Sequence, residues 1–371
     1  MSLSKASRIV LKIGSALLVD PKNGKLRQSW LTSLCADITA LKKQNKDVVI
    51  VSSGAIALGR ARLKLFGRNL SLAEKQACAA AGQSLLTQAY EQGLQPHGIM
   101  TAQALLTLHD TEDRRRWLNA RSTLDTLLKL DAIPIINEND TVATDEIRYG
   151  DNDRLAARTA QMLSADCLVL LSDINGLYTA DPRQDKDARH IPKVHDLTDQ
   201  IMAMGGGINR FSGVGTGGMA TKLSAARIAT KAGCHMYIMD GQENAPISRL
   251  LAGEKSTWFQ AIDNPKKARQ QWIAGSIKPS GALTIDDGAS KALKSGNSLL
   301  AAGVTQISGR FLKGDAVSVK TIAGQEIARG LVSYDAAEAQ KLLGVNSGDI
   351  IDILGYDNGA ALIHRDNMVM I

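Results

Sequence analysis

The stretch Ile9–Ser15, IVLKIGS, places four apolar residues around one lysine and then turns at a glycine. Apolar residues at successive positions predict a strand that is covered on both faces, as in a parallel sheet. Four further runs have the same pattern of successive apolar residues: Val48–Ser52, Ile133–Ile136, Cys167–Leu171 and Met236–Met239. Longer stretches between the runs have apolar residues at helical spacing: Trp30–Lys43, Ala73–Leu94, Thr111–Leu130, Asn152–Leu163 and Ala220–Ala232, the last ended by Gly233. Alternating strands and helices predict an α/β fold with a parallel sheet.

The character of the sequence changes after Ile262, where the polar segment DNPKKARQQW begins. The residues beyond it form short strand candidates with frequent glycine, and two helix candidates. The strands are Gly281–Ile285, Val304–Ser308, Ala316–Thr321, Ile327–Val332 and Ile350–Ile353; the helices are Ala289–Ser295 and Asp335–Leu343. We therefore predict a first domain at residues 1–262, a linker at 263–275 and a small β-rich, barrel-like domain at 276–371.

Composition excludes several classes of protein. The 371 residues are 44% apolar and 22% charged, and no apolar run approaches the length of about 18 residues that indicates a membrane span. Residues 1–7 lack the pattern of a signal peptide, so we expect a cytoplasmic protein. The four cysteines have no CxxC spacing and no nearby histidines, which predicts buried thiols and no structural zinc.

The net charge of +7 is unevenly distributed along the chain. From Ser276 onward there are nine basic and ten acidic residues, so the positive excess lies in the N-terminal part. Cationic groups there suit an anionic small molecule as well as they suit RNA. The near-neutral C-terminal segment argues against RNA binding by that domain, since phosphate neutralisation supplies most non-specific affinity.

Lys12 stands at the end of the first predicted strand, just before the turn at Gly14. A lysine in this position either meets an anion or extends to the surface, and its own motif does not decide between the two. A glycine turn favours the anion, because backbone N–H groups without a neighbouring Cβ approach phosphate closely.

The second strand runs into small residues and then a helix, in the segment Val51–Gly59. Small residues at a helix N-terminus suit a carboxylate or a phosphate. Ser53 could equally cap the helix, a role compatible with binding.

Two clusters of acids and amides follow: Ile136–Asp140, directly after a strand, and Tyr149–Asp153, at the start of a helix. Open α/β sheets bind ligands at the carboxyl ends of their strands, which is where both clusters are expected. Without a histidine, we expect them to hold an amino group, to orient lysines and to contact magnesium through water.

Two later segments are candidates for nucleotide binding. Leu170–Arg183 is a strand that ends in a polar loop suited to a nucleoside. Gly213–Lys222 is glycine-rich, opens a helix and contains a formal GxGxxG with Asp240 further on. Because a flexible loop and no strand is predicted before it, an NAD-binding unit is disfavoured, and the pattern is not a Walker A loop. We expect this loop to bring N–H groups and Lys222 to an anion.

These pieces favour phosphoryl transfer to a carboxylate. A carboxylate nucleophile is already ionised near neutral pH and needs no general base, and no Ser/His/Asp arrangement is evident. The difficulty is repulsion between two anions, which positioned lysines and N–H groups relieve.

In this order, the motifs resemble the amino acid kinase family, and most closely its glutamate-phosphorylating members that carry a C-terminal PUA domain. The most specific pieces are Ser53–Ala57, Asn137–Asp140, Gly150–Asp153, Gly176–Arg183 and Gly215–Met219, with Gly355–Tyr356 and His364–Asp366 in the PUA-like part. The resemblance implies an open, mainly parallel sheet sandwiched by helices. The implied reaction moves the γ-phosphoryl group of ATP, with Mg²⁺, to the side-chain carboxylate of L-glutamate, in the first step of proline biosynthesis.

The resemblance also implies residue roles. Lys12 and Lys222 stabilise the transferring group, and Asp153 orients them. Ser53, Asp140 and Asn152 hold glutamate. The nucleotide contacts are Lys12, Ser172, Asp173, Thr216, Gly217, Gly218, Met219, Ala220, Thr221 and Lys222. Proline is implied as a feedback inhibitor, and the subunits as a dimer or tetramer.

Ala16 and Ala220 stand where the family usually has hydroxyl residues, and Asn175 stands where it usually has a lysine. These departures remove possible contacts to the nucleotide, so the nucleotide affinity is the property they are expected to change. The alternatives are a family member acting on aspartate, acetylglutamate or a nucleoside monophosphate, an RNA-binding protein, and an NAD-dependent oxidoreductase.

Overall fold

The computed structural model describes residues 3–67, 69–142, 152–205, 218–261, 279–357 and 359–371. The chain divides into two compact units, Met1–Pro265 and Lys266–Ile371. The predicted linker at 263–275 lies outside the described residues, so the domain limits stay predictions. Within the described ranges, no helix combines the length and the apolar character that a membrane span requires.

The first unit alternates strands and helices. Its strands are β1 Arg8–Ile13, β2 Asp47–Ser52, β3 Thr101–Leu106, β4 Ile133–Glu138, β5 Cys167–Ser172, β6 Leu177–Tyr178, β7 His190–Ile191, β8 Lys193–Val194, β9 His235–Asp240 and β10 Ser256–Phe259. Its helices are α1 Ser15–Leu18, α2 Gln28–Lys42, α3 Ala55–Arg62, α4 Leu72–Leu94, α5 Leu108–Glu112, α6 Arg114–Lys129, α7 Asn152–Met162, α8 Asp199–Ala203, α9 Met219–Lys231 and α10 Pro246–Leu251. The five strands predicted for this part of the chain are confirmed, and Gly233 ends α9 with a left-handed φ of 79°.

Eight of these strands form one sheet in the order β3-β4-β2-β1-β5-β9-β10-β8. All neighbours are parallel except β9 and β10, so the predicted mainly parallel sheet is confirmed. β1 lies near the centre, between β2 and β5. The carboxyl ends of β4, β2, β1 and β5 therefore meet along one edge of the sheet.

Alternation along β1 assigns its side chains to two cores. Ile9, Leu11 and Ile13 pack in the cluster that includes residues of α2 and α4. Val10 packs in the opposite cluster, with residues of α7 and α9. Since side chains two positions apart share a face, Lys12 projects from the sheet on the side of α7 and α9.

The first unit differs from the sequence predictions in some of its strands and in one helix. β3 and β10 were not predicted, because only Leu106 in β3 and Thr257 and Phe259 in β10 are buried. The single helix expected over Thr111–Leu130 is wrong: α5 and α6 meet at Asp113, whose ψ of 123° interrupts the helix and whose side chain caps α6.

The second unit has strands β11 Gly281–Ile285, β12 Leu299–Leu300, β13 Val304–Gly309, β14 Ala316–Thr321, β15 Glu326–Leu331, β16 Ala361–Ile363 and β17 Met368–Met370, and helices α11 Asp287–Lys294, α12 Ala336–Lys341 and α13 Ile350–Leu354. A five-stranded sheet has the order β13-β11-β14-β15-β17. The strand predicted at Ile350–Ile353 is wrong, since this β-branched run is helical. Only Ile350 of the helix is buried, and Gly355 ends it with a φ of 78°.

Two glycines bring α3 and α4 into close contact. A Cβ at Gly59 would lie 1.7 Å from the carbonyl oxygen of Cys78, and one at Gly82 would lie 1.9 Å from that of Ala55. The backbones of the two helices therefore touch directly beside the start of α3, which follows Ser53.

We expect Gly59→Ala to lower the free energy of unfolding by about 3 kcal/mol, because the methyl group must push α3 and α4 apart. Chemical denaturation of the two proteins measures this loss. Gly348→Ala is the control, since a Cβ there meets nothing within 4 Å. A Gly59→Ala protein as stable as the control would contradict the close packing.

Candidate active site

Two lysines share one buried carboxylate at the carboxyl edge of the sheet. Lys12 Nζ lies 2.6 Å from Asp153 Oδ1, and Lys222 Nζ lies 3.2 Å from Asp153 Oδ2. The three side chains come from β1, α7 and α9, and they are 11%, 1% and 7% exposed for Lys12, Asp153 and Lys222 respectively. Residues far apart in sequence thus form one compact cationic group, which we call the lysine pair.

Asp153 is a charged structural partner, not a proton carrier. Burial alone raises its pKa, but the charges of Lys12 and Lys222 and the hydrogen bonds they donate outweigh burial and hold the pKa at about 2. The carboxylate is therefore ionised throughout the physiological range. With one negative and two positive charges, the cluster keeps a net positive charge for an anion.

The first turn of α9 supplies polar groups next to the lysine pair. Gly218 is the N-cap residue of α9. Thr221 Oγ1 donates to Gly218 O at 2.8 Å and lies 3.3 Å from Asp153 Oδ2. Of the ten predicted nucleotide contacts, Met219 and Ala220 also belong to this turn, whereas Thr216 and Gly217 lie outside the described residues. A helix N-terminus in this position favours negative charge.

Ser172 and Asp173 lie where β5 ends, on the strand beside β1. Ser172 Oγ donates to Asp173 Oδ1 at 3.1 Å, and Arg183 Nη2 lies 3.3 Å from Asp173 Oδ2. Ser172 is mostly buried and Asp173 is exposed. The pair therefore borders the carboxyl edge of the sheet on the β5 side of Lys12.

Ser53 and Asn152 meet on the β2 side of the same edge. Asn152 Nδ2 donates to Ser53 Oγ at 2.6 Å and to Asn137 Oδ1 at 3.1 Å. Ser53 does not cap α3, because Gly54, with a φ of 119°, occupies the N-cap position, where no side-chain cap hydrogen bond is formed among the described residues. Ser53 is instead held by Asn152, so the capping alternative is wrong.

Asp140 follows β4 by two residues and is partly buried. Burial raises its pKa to about 6. A carboxylate that is poorly solvated in the free protein gains most from a cationic ligand, because the cation supplies the stabilisation that water cannot.

Sequence reasoning missed the residues that connect these groups. Asn137 was quoted in a motif but given no role, and it accepts from the backbone N–H of Glu138 at 2.9 Å. Gln83 lies inside the 23-residue helix α4, and Asn137 Nδ2 donates to its Oε1 at 2.8 Å. Nothing in the spacing of α4 distinguishes Gln83 from the other polar residues of that helix.

No metal site built of protein ligands is evident in the part of the chain that the structure describes. Among the described residues, no group of three or more histidine, cysteine, aspartate or glutamate side chains is arranged to hold an ion.

Comparison with known proteins assigns this arrangement to a family. Residues 7–240 match the model of the amino acid kinase family, a span that includes every predicted site residue. The chain belongs to the amino acid kinase family. Residues 281–354 match the PUA domain, so the β-rich C-terminal unit predicted from sequence is confirmed.

Many curated relatives of this amino acid kinase family member are similar over nearly its full length. Three of them, each named glutamate 5-kinase, come from Caulobacter vibrioides strain NA1000 (56% identical, covering 98% of this chain and 97% of the relative), Paramagnetospirillum magneticum (55%, 99% and 99%) and Gluconobacter oxydans (56%, 99% and 97%). The similarity therefore extends over both units of the chain.

Proposed function

We propose that the chain transfers the γ-phosphoryl group of ATP to the side-chain carboxylate of L-glutamate, giving L-glutamyl 5-phosphate, the first step of proline biosynthesis. The observation that carries the proposal is the buried lysine pair on Asp153 within a chain 56% identical to a glutamate 5-kinase. The side-chain carboxylate of glutamate has a pKa of about 4.3, so it attacks without a general base. What the protein must supply is positive charge and alignment.

In this proposal Lys12 and Lys222 neutralise the phosphoryl group as it moves between two anionic oxygens. Asp153 holds both ammonium groups at fixed positions, so no reorganisation is needed when charge develops. Its low pKa supports this role, since it stays ionised while two cations lie against it.

Glutamate is held on the β2 and β4 side of the lysine pair. Asp140 pairs with the substrate ammonium, and Ser53 and Asn152 direct polar atoms toward the substrate. Asn152 is 8% exposed, and its Oδ1 is buried with no hydrogen-bond partner among the described residues. An unused buried acceptor supports binding of an N–H donor from the substrate.

ATP is held by Ser172, Asp173 and the first turn of α9, with Thr216 and Gly217 as further proposed contacts. The turn at Gly218 and the two lysines fit phosphate oxygens, which accept hydrogen bonds from all of them. Mg²⁺ bound together with the nucleotide would neutralise further phosphate charge. The protein side chains do the positioning.

The pKa of Asp140 sets an acid limit on substrate capture. Only the ionised carboxylate pairs with the substrate ammonium, so kcat/KM for glutamate is expected to fall about tenfold per pH unit below pH 6. Steady-state kinetics from pH 5 to pH 8 with saturating ATP measures the inflection. In Asp140→Asn the inflection disappears and KM for glutamate rises. An unchanged inflection in Asp140→Asn would assign the titration to another group.

The proposed reaction is tested by trapping the acyl phosphate with hydroxylamine. We expect ATP-dependent hydroxamate from glutamate and none from aspartate or acetylglutamate, with no phosphorylation of a nucleoside monophosphate. Hydroxamate from aspartate without any from glutamate would overturn the choice of substrate.

Proline as a feedback inhibitor and assembly into dimers or tetramers are also part of the proposal, on the family resemblance alone. Proline is expected to raise KM for glutamate while KM for ATP stays constant. Light scattering gives the mass of the assembly.

A further inference from the structure

A chain of amide side chains runs from α4 to the proposed glutamate site. Gln83 Oε1 accepts from Asn137 Nδ2 at 2.8 Å, and Asn137 Oδ1 accepts from Asn152 Nδ2 at 3.1 Å. Asn152 Nδ2 also donates to Ser53 Oγ at 2.6 Å. Gln83 thus connects to two proposed substrate ligands without being one itself.

The direction of each hydrogen bond is fixed by the backbone. The N–H of Glu138 can only donate, and it lies 2.9 Å from the Oδ1 atom of Asn137. The other end of the Asn137 amide is therefore its Nδ2, and Gln83 must present an acceptor to it. Asn137 Oδ1 can only accept, so the atom of Asn152 that faces it must be Nδ2.

These hydrogen-bond directions leave Asn152 Oδ1 as the last acceptor in the series of amide side chains. The atom is buried and has no hydrogen-bond partner in the part of the chain that the structure describes. A buried acceptor without a donor is destabilising in the free protein, and a protonated amine satisfies it. The orientation of the Asn152 amide therefore determines whether the site offers an oxygen or an NH₂ group to a ligand.

We infer that Gln83 is a positioning residue that, together with the N–H of Glu138, holds Asn137 in place and thereby keeps Asn152 oriented so that its Oδ1 receives the substrate ammonium group and the site prefers an amino acid to a plain dicarboxylate. The inference rests on the proposed function and deepens it. Gln83 acts through Asn137 and does not touch the substrate.

Helix packing explains why α4 can reach the site. Gly82 precedes Gln83, and its missing side chain lets α4 contact the carbonyl of Ala55 at the start of α3. The start of α3 follows Ser53 and Gly54 directly. The same close contact therefore helps to bring Gln83 within hydrogen-bond distance of Asn137, which in turn bonds to Asn152.

A purely structural role does not account for a glutamine here. Its Nε2 atom is buried with no hydrogen-bond partner among the described residues, an arrangement that an apolar side chain of similar size avoids. Packing alone would therefore favour an apolar residue at this position. The acceptor oxygen that bonds to Asn137 accounts for the glutamine.

Two replacements of similar size separate the acceptor from the packing. Gln83→Met removes the acceptor, and Gln83→Glu keeps one. In Gln83→Met we expect KM for glutamate to rise about tenfold, the effect of misaligning one hydrogen bond to a charged group. KM for ATP stays constant, kcat changes by less than about threefold, and kcat/KM for glutarate, which lacks the amine, is unchanged. Gln83→Glu keeps the native glutamate KM within about threefold.

Ser84→Ala is the matched control on the exposed side of α4, and we expect it to match the native protein throughout. If Gln83→Met does not fold, Gln83→Ala replaces it. Equal losses in the Met and Glu variants, an unchanged glutamate KM in Gln83→Met, or an equal loss for glutarate would overturn the inference while leaving the proposed function intact. A native protein without acyl phosphate formation from glutamate would overturn both.

Discussion

Replacing Lys222 with alanine is expected to lower kcat about a thousandfold and to leave KM for glutamate within about threefold of the native value. Its ammonium group lies in the first turn of α9, 3.2 Å from Asp153 Oδ2. A fixed positive charge contributes most where negative charge develops, so its loss affects the transition state more than the bound substrate.

Steady-state kinetics on the Lys222→Ala protein measures kcat and both KM values. Lys231→Ala removes an exposed lysine from the last turn of the same helix and controls for changes in helix charge. Equal losses in kcat and in glutamate affinity would assign Lys222 to substrate holding.

Asp153→Asn is expected to impair both stability and catalysis. The change leaves Lys12 and Lys222 facing each other without a countercharge in a buried site, at a cost of about 3 kcal/mol in the free energy of unfolding. Turnover is expected to fall about a hundredfold, because the two ammonium groups lose their common anchor. ATP should stabilise this variant more than it stabilises the native protein, since phosphate replaces the missing negative charge.

Denaturation with and without ATP, together with kcat, measures these effects. Asp131→Asn is the control: this carboxylate pairs with Lys42, is 84% exposed and has a φ of 60°, a conformation that asparagine tolerates well. The control should keep native stability and activity. An Asp153→Asn protein that is as stable as the control, with native turnover, would contradict the lysine pair.

The arrangement of the lysine pair followed in part from the sequence. Apolar residues on both sides of Lys12 predicted a central strand, and the alternation within that strand places Lys12 on the face of α7 and α9. The pattern of β1 could not identify the partners of Lys12. Asp153 and Lys222 are far from Lys12 in sequence and come close to it only in the folded protein. The family resemblance supplied them.

Features without local periodicity were missed. Edge strand β3 has one buried residue, Leu106. Gln83 bonds to Asn137 across a contact of α4 with α3 at two glycines, which the pattern of α4 alone does not predict. The run at Ile350–Ile353 shows the opposite error, since its β-branched residues predict a strand, whereas the structure has a helix of which only Ile350 is buried. The local pattern was sufficient for the central strands, and it was insufficient for these three features.

The most direct test of the central claim follows oxygen from substrate to phosphate. Glutamate labelled with ¹⁸O in its side-chain carboxylate is incubated with the protein, ATP, Mg²⁺ and hydroxylamine, which attacks the carbonyl carbon of an acyl phosphate and releases inorganic phosphate. If the carboxylate attacks phosphorus, each released phosphate carries one ¹⁸O atom, detectable by mass spectrometry. Release of unlabelled phosphate would mean that water, not glutamate, receives the phosphoryl group.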